Sequence, residues 1–566
     1  MEAITHIDQL PGSFLSPDLI TAFTDSEALD VAKSVAPSII ELLSVPTPAS
    51  IDSLFHPDAV ISYKVVPLIK RAGIIPASII LQEDQVLTIA LPNEVSVVRA
   101  SFAFQTSSPD AKCTAAFKFI RMKNGDVKVF TVTTALHELA AVPWQKAPSP
   151  VSVEGKHGGL SISAYLKALG INFAMVEKEP TIGDSWTRAR LLSPRYDSTT
   201  LHTTRLFSGL PFIPFPSDYP QYVPAKLIAQ YYAKYTQDMQ LPAYPARECT
   251  TAVWDAAQAR WNVTLQGPHG PEVVTARILV FAIGVGGRWP IMPAFPGQDL
   301  FRGESLHSVA YKDATPWAGK RVAVVGASTT ACDVAHDCVG AGADTVMVQR
   351  GPTRIYPQAH IAAVQALFWN DALPVEVGDV MSTEDPVVLQ AALSALVLGR
   401  LRDSQDPEYY DSLRRAGFIA AVDGPIHQQI FCRGGAHYPD IGACGAIARG
   451  EIKVKSDALI ERITPTGLAF SDGTDLDVDV IVYATGFEKD SRKFIAPIVG
   501  AEHAAALEPV WGLDAEGEVR GCWRPSGNDH IWFQGGELQT MRYYGKFLAL
   551  QIVAEVARVR PAPCRV

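Results

Sequence analysis

The alternation of apolar and polar positions divides the chain into stretches of different character. Residues 26–43 (SEALDVAKSVAPSIIELL) place apolar side chains at helical spacing behind Thr24, Asp25 and Ser26, three residues able to cap a helix. Strand-type runs follow at 86–91, 95–104, 113–121 and 127–134, and Asn124-Gly125 between the last two is a hairpin turn signal. A helix followed by a meander predicts a small α+β module over residues 1–145. The stretch 147–152 (APSPVS) reads as a proline-rich linker behind it. Further on the rhythm changes. A helical stretch at 161–169 leads into a strand at 173–176, and the apolar runs 278–284 and 322–325 read as strands buried on both faces. Such alternation predicts an α/β fold with parallel sheets.

Two strand–turn–helix corners carry chemistry. In 320–350 (KRVAVVGASTTACDVAHDCVGAGADTVMVQR) the strand 322–325 turns at Gly326, and Ser328, Thr329 and Ala331 open the helix. This Rossmann-type turn presents backbone N–H groups and a positive helix end to a pyrophosphate. Glycine suits the tight turn at 326, and the small Ala331 suits the helix–strand contact. The next strand ends at Arg350, and an arginine there suits the 2′-phosphate of NADP. An earlier corner runs from Gly155, Gly158 and Gly159 through a helix to the strand 173–176, then Glu177 and Lys178. Glu177 stands 18 residues past Gly159, where a carboxylate holds the ribose of an ADP moiety. One unit is acidic and the other basic, so the pair reads as FAD first and NADP second.

The first loop departs from the pattern. Counting back from Gly159, Glu154 and Lys156 occupy the first two glycine positions; counting from Gly155, the loop is one residue short. A side chain there crowds the pyrophosphate, and a carboxylate repels it. Either the loop is rebuilt, or FAD binds less tightly, or the segment departs from its natural form.

Between the two units lie Gly183-Asp184-Ser185-Trp186, then Tyr196-Asp197 and Leu201-His202-Thr203. Residues 301–311 (FRGESLHSVAY) fit F-x-G-x-x-x-H-x-x-x-[YFW] at every fixed position, directly before the second unit. Residues 479–487 (DVIVYATGF, with Thr485 and Gly486) and 531–536 (IWFQGG) complete the set. On these motifs, residues 150–560 resemble the class B flavoprotein monooxygenases of the flavin-containing monooxygenase and YUCCA type. The N-terminal module is similar to the NTF2-like domains that precede some of them. The resemblance implies two Rossmann-type domains behind that module, divided as 1–145 (NTF2-like), 146–300 (FAD, first part), 301–440 (NADPH) and 441–566 (FAD, second part). It implies that NADPH reduces FAD and that oxygen adds as a C4a-hydroperoxyflavin. One oxygen atom then passes to a small organic substrate, as in secondary metabolism. It places Asp184, Trp186, Asp197 and His202 near the flavin, Thr485 and Gly486 between the domains, and His307 in the coupling between them. Tyr311, where Baeyer–Villiger enzymes usually carry tryptophan, points to the N- or S-oxygenating and YUCCA-like branch. Alternatives are a YUCCA-like oxidative decarboxylase, a Baeyer–Villiger enzyme, and a flavin-deficient binding protein descended from this family. His56, Asp58 and His137 read as structural.

Composition narrows the classes. A net charge of −10 without a basic stripe argues against nucleic acid. The eight cysteines form no C-x-x-C pair and no metal-ligand spacing, which disfavours a dithiol reductase and a metal centre. Hydrophobic content of 48% with 19% charged residues describes a globular protein with a large core. The first residues show no signal-peptide pattern and no apolar run approaches a membrane span, so the chain reads as cytosolic.

Overall fold

The computed structural model describes residues 20–21, 23–44, 54–55, 73–91, 95–107, 110–139, 147–155, 157–187, 196–284, 289–422, 424–514 and 517–557. His56, Asp58 and Lys156 lie outside them. In chain order, helix α1 (Ala28–Ser44) precedes strands β1 (Ile80–Leu91), β2 (Val95–Ser107), β3 (Asp110–Met122) and β4 (Val127–Leu139). Then come β5 (Ala147–Gly155), α2 (His157–Ala168), β6 (Ile171–Val176), β7 (Ile278–Ala282) and β8 (Glu304–His307). They are followed by β9 (Arg321–Val325), α3 (Thr329–Gly340), β10 (Asp344–Val348), α4 (Val375–Thr383) and α5 (Val387–Asp403). The last are β11 (Ile452–Lys455), β12 (Val480–Tyr483), β13 (Ile531–Phe533) and α6 (Leu538–Val556).

β1 to β4 form an antiparallel meander in which β3 also pairs with a short strand at Ile20–Thr21. The β3–β4 turn uses Gly125 at φ 91°, as the Asn-Gly signal predicts. Side chains alternate across the sheet, so Val98, Ala100, Phe102, Phe117 and Phe119 pack with Ile39 and Leu42 of α1. The opposite face presents Arg99, Lys118, Val97 and Ile120. It does not meet water: Val97, Ile120 and Phe130 pack on Leu389 of α5. Arg99 donates twice to Glu384 (2.6 and 2.8 Å), and Lys118 to Asp385 (2.5 Å), all buried. The meander is thereby built into the rest of the molecule.

Two five-stranded parallel sheets follow. One has the order β13–β7–β5–β6 with a two-residue strand at its edge; the other runs β8–β12–β9–β10–β11. β7 and β12 are buried at every position, as central parallel strands flanked by helices must be. The stretch read as a proline-rich linker is β5 itself. Val151 and Val153 pair with Ile278 and Val280 on one side and with Phe173 and Met175 on the other. Parallel neighbours on both sides supply the ladder that this weakly apolar segment does not announce. No helix among the described residues is long and apolar enough to cross a membrane, and no cluster of three metal-ligating side chains occurs among them.

Candidate functional site

The second sheet opens at its carboxyl edge onto a cavity of 890 Å³ whose wall includes Gly326, Ser328, Thr329, Arg350, Thr485 and Gly486. Gly326 has φ 131°, and a Cβ on it would stand 2.5 Å from the Ala484 carbonyl oxygen, so only glycine lets β9 turn against β12. Ser328 and Thr329 do not cap their own helix. Both hydroxyls donate to the His437 carbonyl (3.0 and 2.8 Å), leaving the first N–H groups of α3 for an anionic ligand. Ala331 is fully buried at the helix–strand contact. Arg350 is exposed at the end of β10 and pairs with no carboxylate among the described residues. The loop that carries it is fixed by buried Gln349, whose amide donates to the Ile419 carbonyl (3.0 Å) and accepts from the Ile419 N–H (2.8 Å). Thr485 donates to the Ile291 carbonyl (2.6 Å).

His307 ends β8 opposite Tyr483, one residue behind Ser308 in the cavity wall. Its Nδ1 accepts from the Val309 N–H (3.1 Å), Phe487 packs edge-on at 5.3 Å, and burial pulls its pKa down. The neutral ring therefore carries its proton on Nε2, which faces the Gly486 backbone. The motif glycine, Gly303, is dictated by packing: a Cβ there would lie 2.4 Å from the Asp479 carbonyl oxygen. Tyr311 does not reach the cavity. It is 1% exposed between Tyr196 and Trp317, and its hydroxyl donates to Asp337 of α3.

The first sheet gathers the other predicted residues. Gly155 closes β5 opposite Ala282, and α2 begins at His157, so one position separates strand from helix. Three positions separate β9 from α3. The first turn is thus two positions shorter than the second, where the count from Gly155 gives one. Gly158 and Gly159 open α2, and a Cβ on Gly158 would meet Met541 Sδ at 3.1 Å and Gln534 Cγ at 3.3 Å. Glu177 follows β6, 6% exposed, with its carboxylate accepting from the Glu179 N–H (3.0 Å); Lys178 lies beside it. Asp184 and Trp186 are buried in a one-turn helix (Asp184–Thr187) pinned by Gly183, whose φ is 99° and whose Cβ would strike the Ala229 carbonyl at 2.6 Å. Gln534 Oε1 is buried with no partner among the described residues, and Gly536 (φ 102°) turns the chain into α6. The small turn residues, the terminal carboxylate and the orphaned amide oxygen fit a flavin dinucleotide along this edge. NADP fits the other cavity through Gly326 and Arg350.

Sequence reasoning missed what joins the two units. Asp333 of α3 accepts from the Tyr196 hydroxyl (2.5 Å) and lies 3.2 Å from His202 Nε2, while His202 Nδ1 lies 3.2 Å from the Pro439 carbonyl oxygen. Asp197 stays on the surface, with its N–H on the Lys312 carbonyl (2.9 Å). Another group without a sequence signal is Glu537, which burial pushes up to about 7 at the start of α6. Its neutral form is held in the folded state, so its stabilising contribution is complete below about 4.5 and lost as pH rises through about 7. Wild type should lose about 2–3 kcal/mol relative to Glu537→Gln between pH 4.5 and 8, read from melting curves of both proteins. Parallel pH profiles for the two would show that Glu537 titrates normally.

Two parallel sheets, each with a glycine corner at its carboxyl edge, define an oxidoreductase that handles two dinucleotides. A family profile described as pyridine nucleotide-disulphide oxidoreductase matches residues 157–366, beginning just past the shortened turn. The chain is 30% identical over 349 residues to indole-3-pyruvate monooxygenase YUCCA1 of Oryza sativa subsp. japonica, covering 61% of this chain and 77% of that protein. It is 27% identical over 349 residues to probable indole-3-pyruvate monooxygenase YUCCA4 of Arabidopsis thaliana, covering 61% and 76%. A flavin-containing monooxygenase structure from Stenotrophomonas maltophilia aligns at 19% identity over 72% of this chain and 99% of that one, with a TM-score of 0.48. The chain belongs to the YUCCA-like flavin-dependent monooxygenases. It is an FAD- and NADPH-dependent enzyme that takes O2 and a small-molecule substrate. The flavin-deficient alternative is not favoured.

Proposed function

We propose that this monooxygenase oxygenates the carbonyl carbon of a small 2-oxo acid and releases its carboxyl group as CO2. The two plant relatives support this substrate class, because both are named for indole-3-pyruvate. The cofactor arrangement rests on one contrast: a buried carboxylate, Glu177, ends β6, whereas exposed Arg350, which pairs with no carboxylate among the described residues, follows β10. Glu177 with Lys178 holds the unphosphorylated ribose of FAD, and Arg350 holds the 2′-phosphate of NADPH. Bound FAD supplies hydride acceptance from NADPH and the activation of O2. The chain binds, orients and excludes water. Gly155, Gly158 and Gly159 admit the flavin pyrophosphate, Asp184 and Trp186 flank its ring, and Gly326, Ser328, Thr329 and Ala331 admit that of NADPH. Thr485 and Gly486 form the passage between the two. His307 turns its Nε2 proton toward the Gly486 backbone, and Tyr311, Tyr196 and His202 brace α3 against the flavin domain.

The module at 1–145 acts as an NTF2-like cover, with 146–300 and 441–566 as the flavin domain around the NADPH domain at 301–440. A cytosolic setting suits the seven cysteines of the described residues, all free. With phenylpyruvate, NADPH and air, phenylacetate, CO2 and NADP should form in equal amounts. Phenylpyruvate left intact while thioanisole is converted to its sulfoxide would move the assignment to sulfur oxygenation.

A further inference from the structure

The inner face of the N-terminal sheet and helix α6 enclose a second cavity, of 560 Å³, that touches none of the residues assigned to FAD or NADPH. Thr114 of β3 and His137 of β4 form its floor, and Tyr543, Lys546 and Phe547 of α6 its roof. We propose that this cavity binds a small carboxylic acid with a flat aromatic body, at a site separate from the oxygenating centre.

The charge pattern identifies the anionic end. Three other basic side chains in the wall already hold carboxylates: Arg99 with Glu384 (2.6 Å), Arg542 with Asp379 (2.6 Å) and Arg524 with Asp514 (2.8 Å). Lys546 pairs with no carboxylate among the described residues. Its ammonium donates to His137 Nδ1 (3.3 Å), and His137 Nε2 donates to Thr114 Oγ1 (2.8 Å). Burial and the neighbouring Lys546 hold the His137 pKa down at about 4, so the ring is a neutral relay and supplies no counter-charge. The acidic wall residues do not supply one either. Asp379, Glu384 and Asp385 are bound to Arg542, Arg99 and Lys118; Glu518 accepts from the Val387 N–H (3.1 Å); Glu376 is exposed at the rim. A half-buried ammonium facing only a neutral imidazole is costly, and a carboxylate from outside relieves it.

The body of the ligand follows from the rings. Trp523 stacks on Tyr544 at 4.6 Å and Tyr543 meets Phe547 at 5.2 Å, so the walls are flat aromatic faces. The volume lies within the range of small-molecule sites, roughly 300–1,000 Å³. Trp523 is also the partition from the flavin edge: its Cζ2 lies 3.0 Å from the position of a Cβ on Gly536.

Calorimetric titration of the holoenzyme with 2-naphthoate and with neutral 2-naphthamide tests the assignment. The acid should bind about tenfold or more tightly than the amide, as a charge-assisted hydrogen bond implies. Lys546→Met should bind both equally while its NADPH oxidation stays at the wild-type rate, and Lys546→Arg should keep the preference for the acid. Equal binding of acid and amide to wild type, or a preference surviving in Lys546→Met, overturns the proposal. Octanoate binding more tightly than 2-naphthoate overturns the flat body.

Discussion

Gly326→Ala should raise the dissociation constant for NADPH about 100-fold, a loss of about 2.7 kcal/mol, while the bound flavin spectrum is unchanged. At φ 131° a side chain is strained, and the new Cβ would sit 2.5 Å from the Ala484 oxygen and 3.2 Å from its carbon. The neighbour is backbone of the loop after β12, so relief requires β9 and that loop to part. The turn then moves away from the pyrophosphate, and displacements near 1 Å at a positioning element cost about 100-fold. Titration of NADPH against the purified variant reads the effect, and the intact flavin bands separate it from unfolding. Wild-type affinity in Gly326→Ala would mean that NADPH does not use this corner.

Arg542→Met should destabilise the protein by about 3–5 kcal/mol, the cost of leaving one partner of a buried pair alone. Arg542 lies on α6 and grips Asp379 of α4 through two donors at 2.6 Å; a third donates to the Gly209 carbonyl at 2.5 Å. Both residues are about 5% exposed or less. Asp379 keeps the Trp369 Nε1 bond (3.0 Å), but the charge itself is left unpaired. Combining Arg542→Met with Asp379→Leu removes that charge and should recover at least half of the loss in a denaturation series. A single-variant cost below about 1 kcal/mol would show that water reaches Asp379 and that the pair is a surface-type bridge.

Both residues escaped the reading of the sequence, and the reason is physical. Gly326, Arg350, Gly158 and Glu177 are legible because strand, turn and helix are consecutive in the chain and each corner imposes its own residue types. The Asn124-Gly125 hairpin is legible for the same reason. Contacts between distant segments leave no such trace. Asp333 meets Tyr196 and His202 from more than 130 positions away, and Arg99 meets Glu384 across 285. β5 was hidden differently, since its prolines and few valines look like a linker until β6 and β7 are placed beside it. The motif around residue 307 was recognisable as a whole, yet its spacing does not reveal that Tyr311 packs into the α3 core while His307 ends beside the cavity.

The most direct test of the account is the visible absorption of the purified protein during anaerobic addition of NADPH, followed by air and substrate. Flavin bands should be present, bleach with one equivalent of NADPH, and return on admission of oxygen as one oxygenated product forms per NADPH. A colourless protein that takes up no added FAD would contradict the account, and would show that the shortened turn before His157 no longer admits the flavin.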